Sequence, residues 1–448
     1  MALTVKNNMP AQKTLNVLVK TEGTAAKDLK KLASGQKINS AGDDASGYAI
    51  SDRMDVQVRG LDQDNDNTQN AQSLLGTAEG AVQSTVDILR TLKEKVINAA
   101  NDTNTDIDRA TIQKELDQAV DQIDDNANVT FNGITLMDGS HNGTVVGQYG
   151  TGTYTCLTNS SLSSDTTIST PITALKDRTG NSLQILPTDK ITISYVKQGK
   201  THVSDAATVG SNAITWNLFA SFSTEARQDL DVRNPRKLGE GYDYIGVDKY
   251  GNNVYTADGE NAITFYARTP GLDGQISGLT ITITDRYGNP NKYANASLNN
   301  FHETIRAENP SADNSIVFQT GTKANQSVKV AFTDMRATAL GLRATDGTTL
   351  QISTQASANA AINVLDNALQ KALDQQTELG AADSRMDYTS ANITVASENT
   401  TAAMSTIRDA DMAAEMTAYT KDNVIAQASQ AMLAQANQNL SQVLSLLQ

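Results

Sequence analysis

Residues Ala71–Ala100 read AQSLLGTAEGAVQSTVDILRTLKEKVINAA. Within them Leu75, Ala78, Val82, Thr85, Leu89, Leu92, Val96 and Ala99 recur at alternating spacings of three and four. That spacing puts all of them on one narrow stripe of a helix, the seam of a bundle rather than a broad face on a globular core. The stretch NDTNTD, Asn101 to Asp106, then breaks the helix and ends in capping residues. A second helix is expected after it, with Ile112, Leu116, Ala119 and Ile123 on one face. The far end of the chain answers with Ile362, Leu365, Leu369, Ala372 and Leu379. Three seams of similar pitch, two from one end of the chain and one from the other, predict a long antiparallel bundle.

The centre differs. Of the seven prolines, Pro10, Pro171, Pro187, Pro235, Pro270, Pro290 and Pro310, none falls between 10 and 171 and none after 310. Proline breaks helix interiors, so both ends are free to be helical and the middle need not be. ITISYV (Ile191–Val196), AITFYA (Ala262–Ala267) and LTITITD (Leu279–Asp285) alternate with period two and predict strands. A turn signature recurs as DRTGN at Asp177, DKYGN at Asp248 and DRYGN at Asp285, with Gly-Asn where hairpins need positive φ. Ordinary hairpin turns in one β domain explain it, as does a repeated hairpin module. The fold class is α+β: a long antiparallel helical bundle formed by both chain ends, with a β-rich central insertion.

The chain has 448 residues, a formal charge of −14 and only 5% aromatics. Its cores must therefore be built from Ala, Leu, Ile and Val. No basic stripe is available to neutralise phosphates, which argues against nucleic acid. Cys156 is the single cysteine, so no intrachain disulfide forms. His141, His202 and His302 are scattered, and HExxH and the other zinc layouts are missing. Asp62, Asp64 and Asp66 sit at calcium-loop positions one, three and five, but Asn67 and Ser73 stand where that loop wants Gly and Glu. A solvated helix face is the plainer reading. DDNAN near Asp124 and DSRMD near Asp383 gather carboxylates without any sign of a shared pocket. No catalytic, cofactor-binding or metal-binding residue is assigned, and no enzyme activity or cofactor is expected. The first residues lack the apolar core and cleavage site of a secretory signal, and the last are too rich in Gln and Asn for a membrane span, so no membrane insertion is expected.

The ends remain. Leu15, Leu18, Ala25, Leu29 and Leu32 form a short helical stripe interrupted by Gly23. Such a helix is marginal alone. Val424–Gln448 carries no charge, and Leu433, Ala436, Leu440, Val443 and Leu447 recur along it among Gln, Asn and Ser. Neutral amides are far easier to desolvate than charges, so this polar face too can be covered. The two helices are expected to support each other and to be covered by further copies of the chain.

Several motifs, in order, resemble bacterial flagellin. LASGQKINSAGDDASGYAIS (Leu32–Ser51) looks like the family's link from its innermost helix to the core bundle, and FNGITLMDG (Phe131–Gly139) like the hairpin after the second helix. DMRATALGL (Asp334–Leu342) looks like the return into the core, and IRDADMAAE (Ile407–Glu415) with AMLAQANQNLSQVLSLLQ (Ala431–Gln448) like the C-terminal signature. The likeness covers about residues 1–140 and 325–448.

The resemblance implies a structural subunit of the extracellular flagellar filament. It implies inner-core terminal helices at 1–43 plus 409–448 and a helical-bundle core with a β-hairpin at 44–172 plus 320–408. Residues 173–319 would form a variable outer domain of one or two subdomains. Implied partners are other copies in a helical homopolymer, the type III export apparatus, an export chaperone at the C-terminal region, and hook-associated and filament-cap proteins. Family members that stimulate a vertebrate Toll-like receptor carry an Arg, a Leu and a Glu on the two core helices. The corresponding places hold Thr91, Lys95 and Glu115, or Arg90 after a one-residue shift, so weak activation is expected. TNSSLSSDTTIST (Thr158–Thr170) is read as a linker or a target for sugars. A hook–filament junction protein of the same family and a secreted β-domain adhesin are the alternatives.

Overall fold

The computed structural model describes residues 8–147, 150–163, 166, 170–210, 229–233, 244–256 and 263–445. Among the described residues six α-helices follow in order: α1 Met9–Ser34, α2 Ala45–Ala99, α3 Asp106–Ala127, α4 Lys292–Leu298, α5 Gln355–Arg408 and α6 Met412–Ser445. They fall into two compact units. One holds residues 1–69, 319–327 and 387–448, and the other holds 70–318 and 328–386. α2 and α5 contribute to both.

The larger unit contains the bundle. Leu75, Val82, Leu89, Leu92 and Val96 of α2 are buried with Leu116, Val120 and Ile123 of α3 and with Leu365, Ala368 and Ala372 of α5. Ile362 and Leu369 are partly buried against the same core. The pairings are antiparallel. Lys95 meets Glu115 while Ser84 meets Asn126, and Lys93 meets Asp366 while Gln83 meets Gln376.

The break between α2 and α3 is made by Thr105, which exchanges hydrogen bonds with Asp108 in a capping box. Arg109 is buried beside it and donates to the carbonyls of Ala99 (2.9 Å) and Asn101 (3.1 Å), so a cation closes the exposed end of α2. Asp124, weighed above as part of an acidic cluster, is committed to structure. It accepts from the Ala337 N–H at 2.7 Å and pairs with Arg343 at 2.5 Å, tying α3 to the returning chain.

The insertion is built on two antiparallel four-stranded sheets. One orders the strands His302–Ile305, Cys156–Asn159, Ile263–Ala267 and Leu230–Arg233. The other places Ile276–Thr284 beside Lys190–Lys197, which also pairs with Lys200–Val203 and Ala207–Thr208. The period-two pattern is realised directly: Ile191, Ile193 and Tyr195 are buried with Leu279, Ile281 and Ile283 opposite. Strand Ile276–Thr284 also lies on α5. A Cβ on Gly278 would stand 3.0 Å from Val364 Cγ2, and Asn363 and Asn367 donate to the Leu279 and Ser277 carbonyls at 3.0 and 2.8 Å.

The three repeated turns share one geometry. Asp177, Asp248 and Asp285 each accept from backbone N–H groups two and four residues on. Gly180, Gly251 and Gly288 sit near φ +90°, but the following Asn does not need positive φ.

Two expectations change. The 158–170 stretch is not simply a linker: Thr158 and Asn159 are buried in a strand and Leu162 and Ser163 are buried, while 164, 165 and 167–169 lie outside the described residues. The Asp62–Asp66 run is not uniformly solvated. It is continuous helix, and Asp64 is 4% exposed with Oδ2 unpartnered, so burial pushes its carboxyl up.

Candidate assembly interface

The chain termini pair within the smaller unit. α1 starts on Asn8, whose side chain accepts from the Ala11 N–H at 3.1 Å, with Pro10 in the first turn. It runs unbroken through Gly23 and ends on Gly35 at φ +71°, whose N–H reaches the Lys31 carbonyl at 2.8 Å. α6 lies antiparallel to it. Asn8 Nδ2 approaches the Ala436 carbonyl at 3.4 Å, the Thr24 hydroxyl donates to Asp422, and Lys31 Nζ meets Glu415 Oε1 at 2.9 Å. The Glu415 hydrogen bond raises the Lys31 pKa.

The covered stripe of α1 runs Ala11, Thr14, Leu18, Thr21, Ala25, Asp28 and Leu32, at alternating spacings of three and four. Of these only Leu18 and Thr21 are buried. On α6 the covered residues include Ala418, Ile425, Ser429, Leu433 and Ala436, of which Ser429 alone is buried. This seam is thin and made mostly of small or polar side chains.

The other faces are apolar and open. Leu15 is 46% exposed and Leu29 52%, and on α6 Val424 is 59% and Met432 63% exposed. Val17, Val19, Met412 and Met416 are exposed as well. Leu15 and Leu29 thus leave the stripe that holds Leu18 and Leu32, because the α1–α6 contact uses the intervening threonines and alanines. Thr21 and Ser429 were missed as seam residues; for Thr21 the available signal was the 3-4 spacing from Leu18 and Ala25. Gln427, Gln430, Gln435 and Asn437 are exposed, forming a neutral polar surface. The side chains of Leu440 and Val443, and all of Leu447, lie outside the described residues.

The links at the base of this pair use the quoted motifs. Lys37 N–H donates to the Arg408 carbonyl at 2.8 Å and Ala410 N–H to the Gly35 carbonyl at 2.9 Å. Arg408 Nε reaches Gln36 Oε1 at 3.1 Å. Asp43 accepts from the backbone of Asn39 and Ser40, and Asp44 from Gly47 and Ser46. These hydrogen bonds hold both carboxyls below their usual range. A side chain at Gly47 would strike Asp44 and Ile38, so the GDDASG run is a fitted turn into α2.

In the larger unit Lys95 meets Glu115 at 2.9 Å, and Thr91 hydrogen-bonds its own helix at the Asp87 carbonyl. Lys95, Thr91 and Glu115 line a groove of about 560 Å³ with Ile88, Leu92 and Ala119. Arg90 turns to Asp87 at 3.1 Å.

Among the described residues no helix is long and apolar enough to cross a membrane, and no cluster of His, Cys, Asp and Glu could hold a metal.

The bacterial flagellin N-terminal helical region matches residues 5–142, and the bacterial flagellin C-terminal helical region matches 362–447. A flagellin of Clostridium tyrobutyricum is 32% identical over 435 residues, covering 97% of this chain and 99% of its own. A flagellin of Bacillus subtilis strain 168 is 28% identical over 446 residues, 99% of each chain. The B-type flagellin of Pseudomonas aeruginosa is 30% identical over 507 residues, covering both chains in full.

Proposed function

The chain belongs to the bacterial flagellin family and is a structural subunit of the flagellar filament, and from that premise we propose that its terminal helix pair is the element through which copies join. The observation that carries this is the two-faced character of α1 and α6. Each helix spends a thin seam on the other and leaves Leu15, Leu29, Val424 and Met432 in solvent. Neighbouring copies would cover that surface. The neutral amides of α6 can enter the same contact at little desolvation cost. Ordering and assembly are then coupled: the ends gain enough buried area only when neighbours arrive.

In this reading Leu15, Leu18, Leu29, Leu32, Leu433, Ala436, Leu440, Val443 and Leu447 serve assembly. Residues 1–43 with 409–448 are the polymerising part, 44–172 with 320–408 the bundle, and 173–319 the variable part. The subunit is structural, exported through the flagellar type III apparatus to the extracellular filament, with a chaperone at its C-terminal region and hook-associated and cap proteins as further partners. At the receptor-contact positions, Lys95 paired with Glu115 replaces an apolar contact by a charge. Weak Toll-like receptor activation in reporter cells is the expected outcome, and strong activation would reject that assignment.

The test of assembly is seeded regrowth watched by electron microscopy, comparing heat-depolymerised full-length chain with a chain ending at Asp422. Regrowth by the full chain alone supports the proposal. If both regrow, the terminal helix is not the assembly element. If neither regrows on seeds, the joining surface lies elsewhere.

A further inference from the structure

The DRTGN turn is tied to α4, the short helix that follows the DRYGN turn. The Tyr293 hydroxyl on α4 donates to Asp177, and Asn291 Nδ2 reaches the Leu183 and Gln184 carbonyls at 3.3 and 3.2 Å. This ties the DRTGN turn to the segment that follows DRYGN. Each turn is also braced from within, since Asp177 Oδ1 accepts from the Thr179 and Asn181 N–H groups and Asp285 Oδ1 from those of Tyr287 and Asn289. The backbone is therefore held while Arg178, Arg286 and Tyr287 between the braces are exposed, the Arg286 guanidinium donating to the Tyr287 hydroxyl and Thr179 folding back onto Asp177. Tyr287 is 73% exposed, and the Arg286 guanidinium lies 4.5 Å from its ring centre.

The charge here runs against the rest of the chain. Segments 176–190 and 284–293 carry five cations, Lys176, Arg178, Lys190, Arg286 and Lys292, against three carboxylates, in a chain of formal charge −14. All five cations are exposed. Of the carboxylates, Asp189 is buried and Asp177 and Asp285 are turned inward onto their own turns.

We propose that this tip is a docking surface for an acidic polysaccharide. A guanidinium presents a planar fork that matches a carboxylate or sulfate. A braced, exposed tyrosine ring offers an apolar face to a sugar ring, at little ordering cost because the turn is already set. Cations spread over the two turns and the strand and helix ends beside them suit a chain whose charges are separated by neutral rings. A denser polyanion such as nucleic acid would be repelled by the remaining acidic surface.

The probe is immobilised hyaluronate, with neutral dextran as the reference surface, and full-length monomeric protein as the analyte. The expected result is salt-sensitive binding to hyaluronate and none to dextran. Arg286→Ala and Tyr287→Ala are each expected to weaken it about tenfold, Tyr287→Phe to retain it, and Lys323→Ala, in the other unit, to leave it unchanged. Unchanged thermal melts show that the variants fold. No binding by the parent chain overturns the proposal, as does an equal loss in Lys323→Ala. Polyglutamate competing as well as free hyaluronate would reduce the tip to simple ion exchange and overturn the sugar-specific reading.

Discussion

The bundle and the terminal pair are both antiparallel helix packings, yet they are built differently. The bundle seam is mostly Leu, Val, Ile and Ala, and most of it is buried on three helices, with Ile362 and Leu369 partly covered. The terminal seam is mostly Ala, Thr and Ser around one buried leucine, with Leu32, Ile425 and Leu433 only partly covered, while Leu15, Leu29, Val424 and Met432 stay in solvent. At about 25 cal/mol per Å² of apolar surface buried, the first can hold itself together and the second gains little. A helix pair that keeps its large apolar residues outside is incomplete as a folding unit and well suited to being finished by neighbours.

The largest effect that could break this contrast is in the bundle. Leu89→Ala removes a fully buried side chain and is expected to destabilise the monomer by about 2–5 kcal/mol in urea titration. A loss below about 1 kcal/mol would mean that the bundle is as loosely packed as the ends.

A smaller effect concerns a buried ionic group at the foot of the insertion. Glu303 lies 3.7 Å from Arg306, which reaches Asp374 at 2.6 Å, and Lys371 is buried nearby with Nζ on the Ala339 carbonyl. Burial raises the Glu303 pKa from 4.5 to about 7, against the pull of Arg306 and Lys371. Its folded-state pKa exceeds its unfolded one, so the folded chain holds the proton longer. This group's contribution is fully present below pH 4.5 and is lost as pH rises through about 7. Glu303→Gln should remove that slope. The difference in stability between variant and parent should grow by about 3 kcal/mol from pH 4.5 to pH 8, read as thermal melts. A difference that does not change with pH rejects the assignment.

The smallest expected effect on the monomer sharpens the contrast most. Leu29→Asp changes an exposed residue and should move monomer stability by less than about 0.5 kcal/mol. Seeded filament growth should nevertheless fail, because the charge would be buried against a neighbour. Growth at the parent rate would remove Leu29 from the joining surface.

Much of this was legible in local pattern. The 3-4 spacing of Leu75 to Ala99 and the alternation in Ile191–Val196 and Leu279–Asp285 report helix and strand because each side chain's direction follows from its own position in the chain. The Asp-to-Asn turns were legible for the same reason, since a carboxylate reaching N–H groups two and four residues ahead is a local event. The burial of Arg109 was not legible: a cation in the first turn of α3 reads as solvated until the loop folds it back on the end of α2. Asp64, at a seam position of α2, was equally hidden.

By itself the sequence determined the long helices of both chain ends, the strands at Ile191–Val196, Ala262–Ala267 and Leu279–Asp285, and the three Asp-to-Asn turns. These follow from backbone sterics and side-chain periodicity within a few residues. Only the tertiary structure decided which faces of α1 and α6 are spent on each other and which are left open. It also buried Glu303 within the electrostatic reach of Lys371, set Gly278 against Val364, and tied the DRTGN turn to α4 through Tyr293. Those choices depend on contacts between residues far apart in the chain, and neither partner's local pattern carries information about the other.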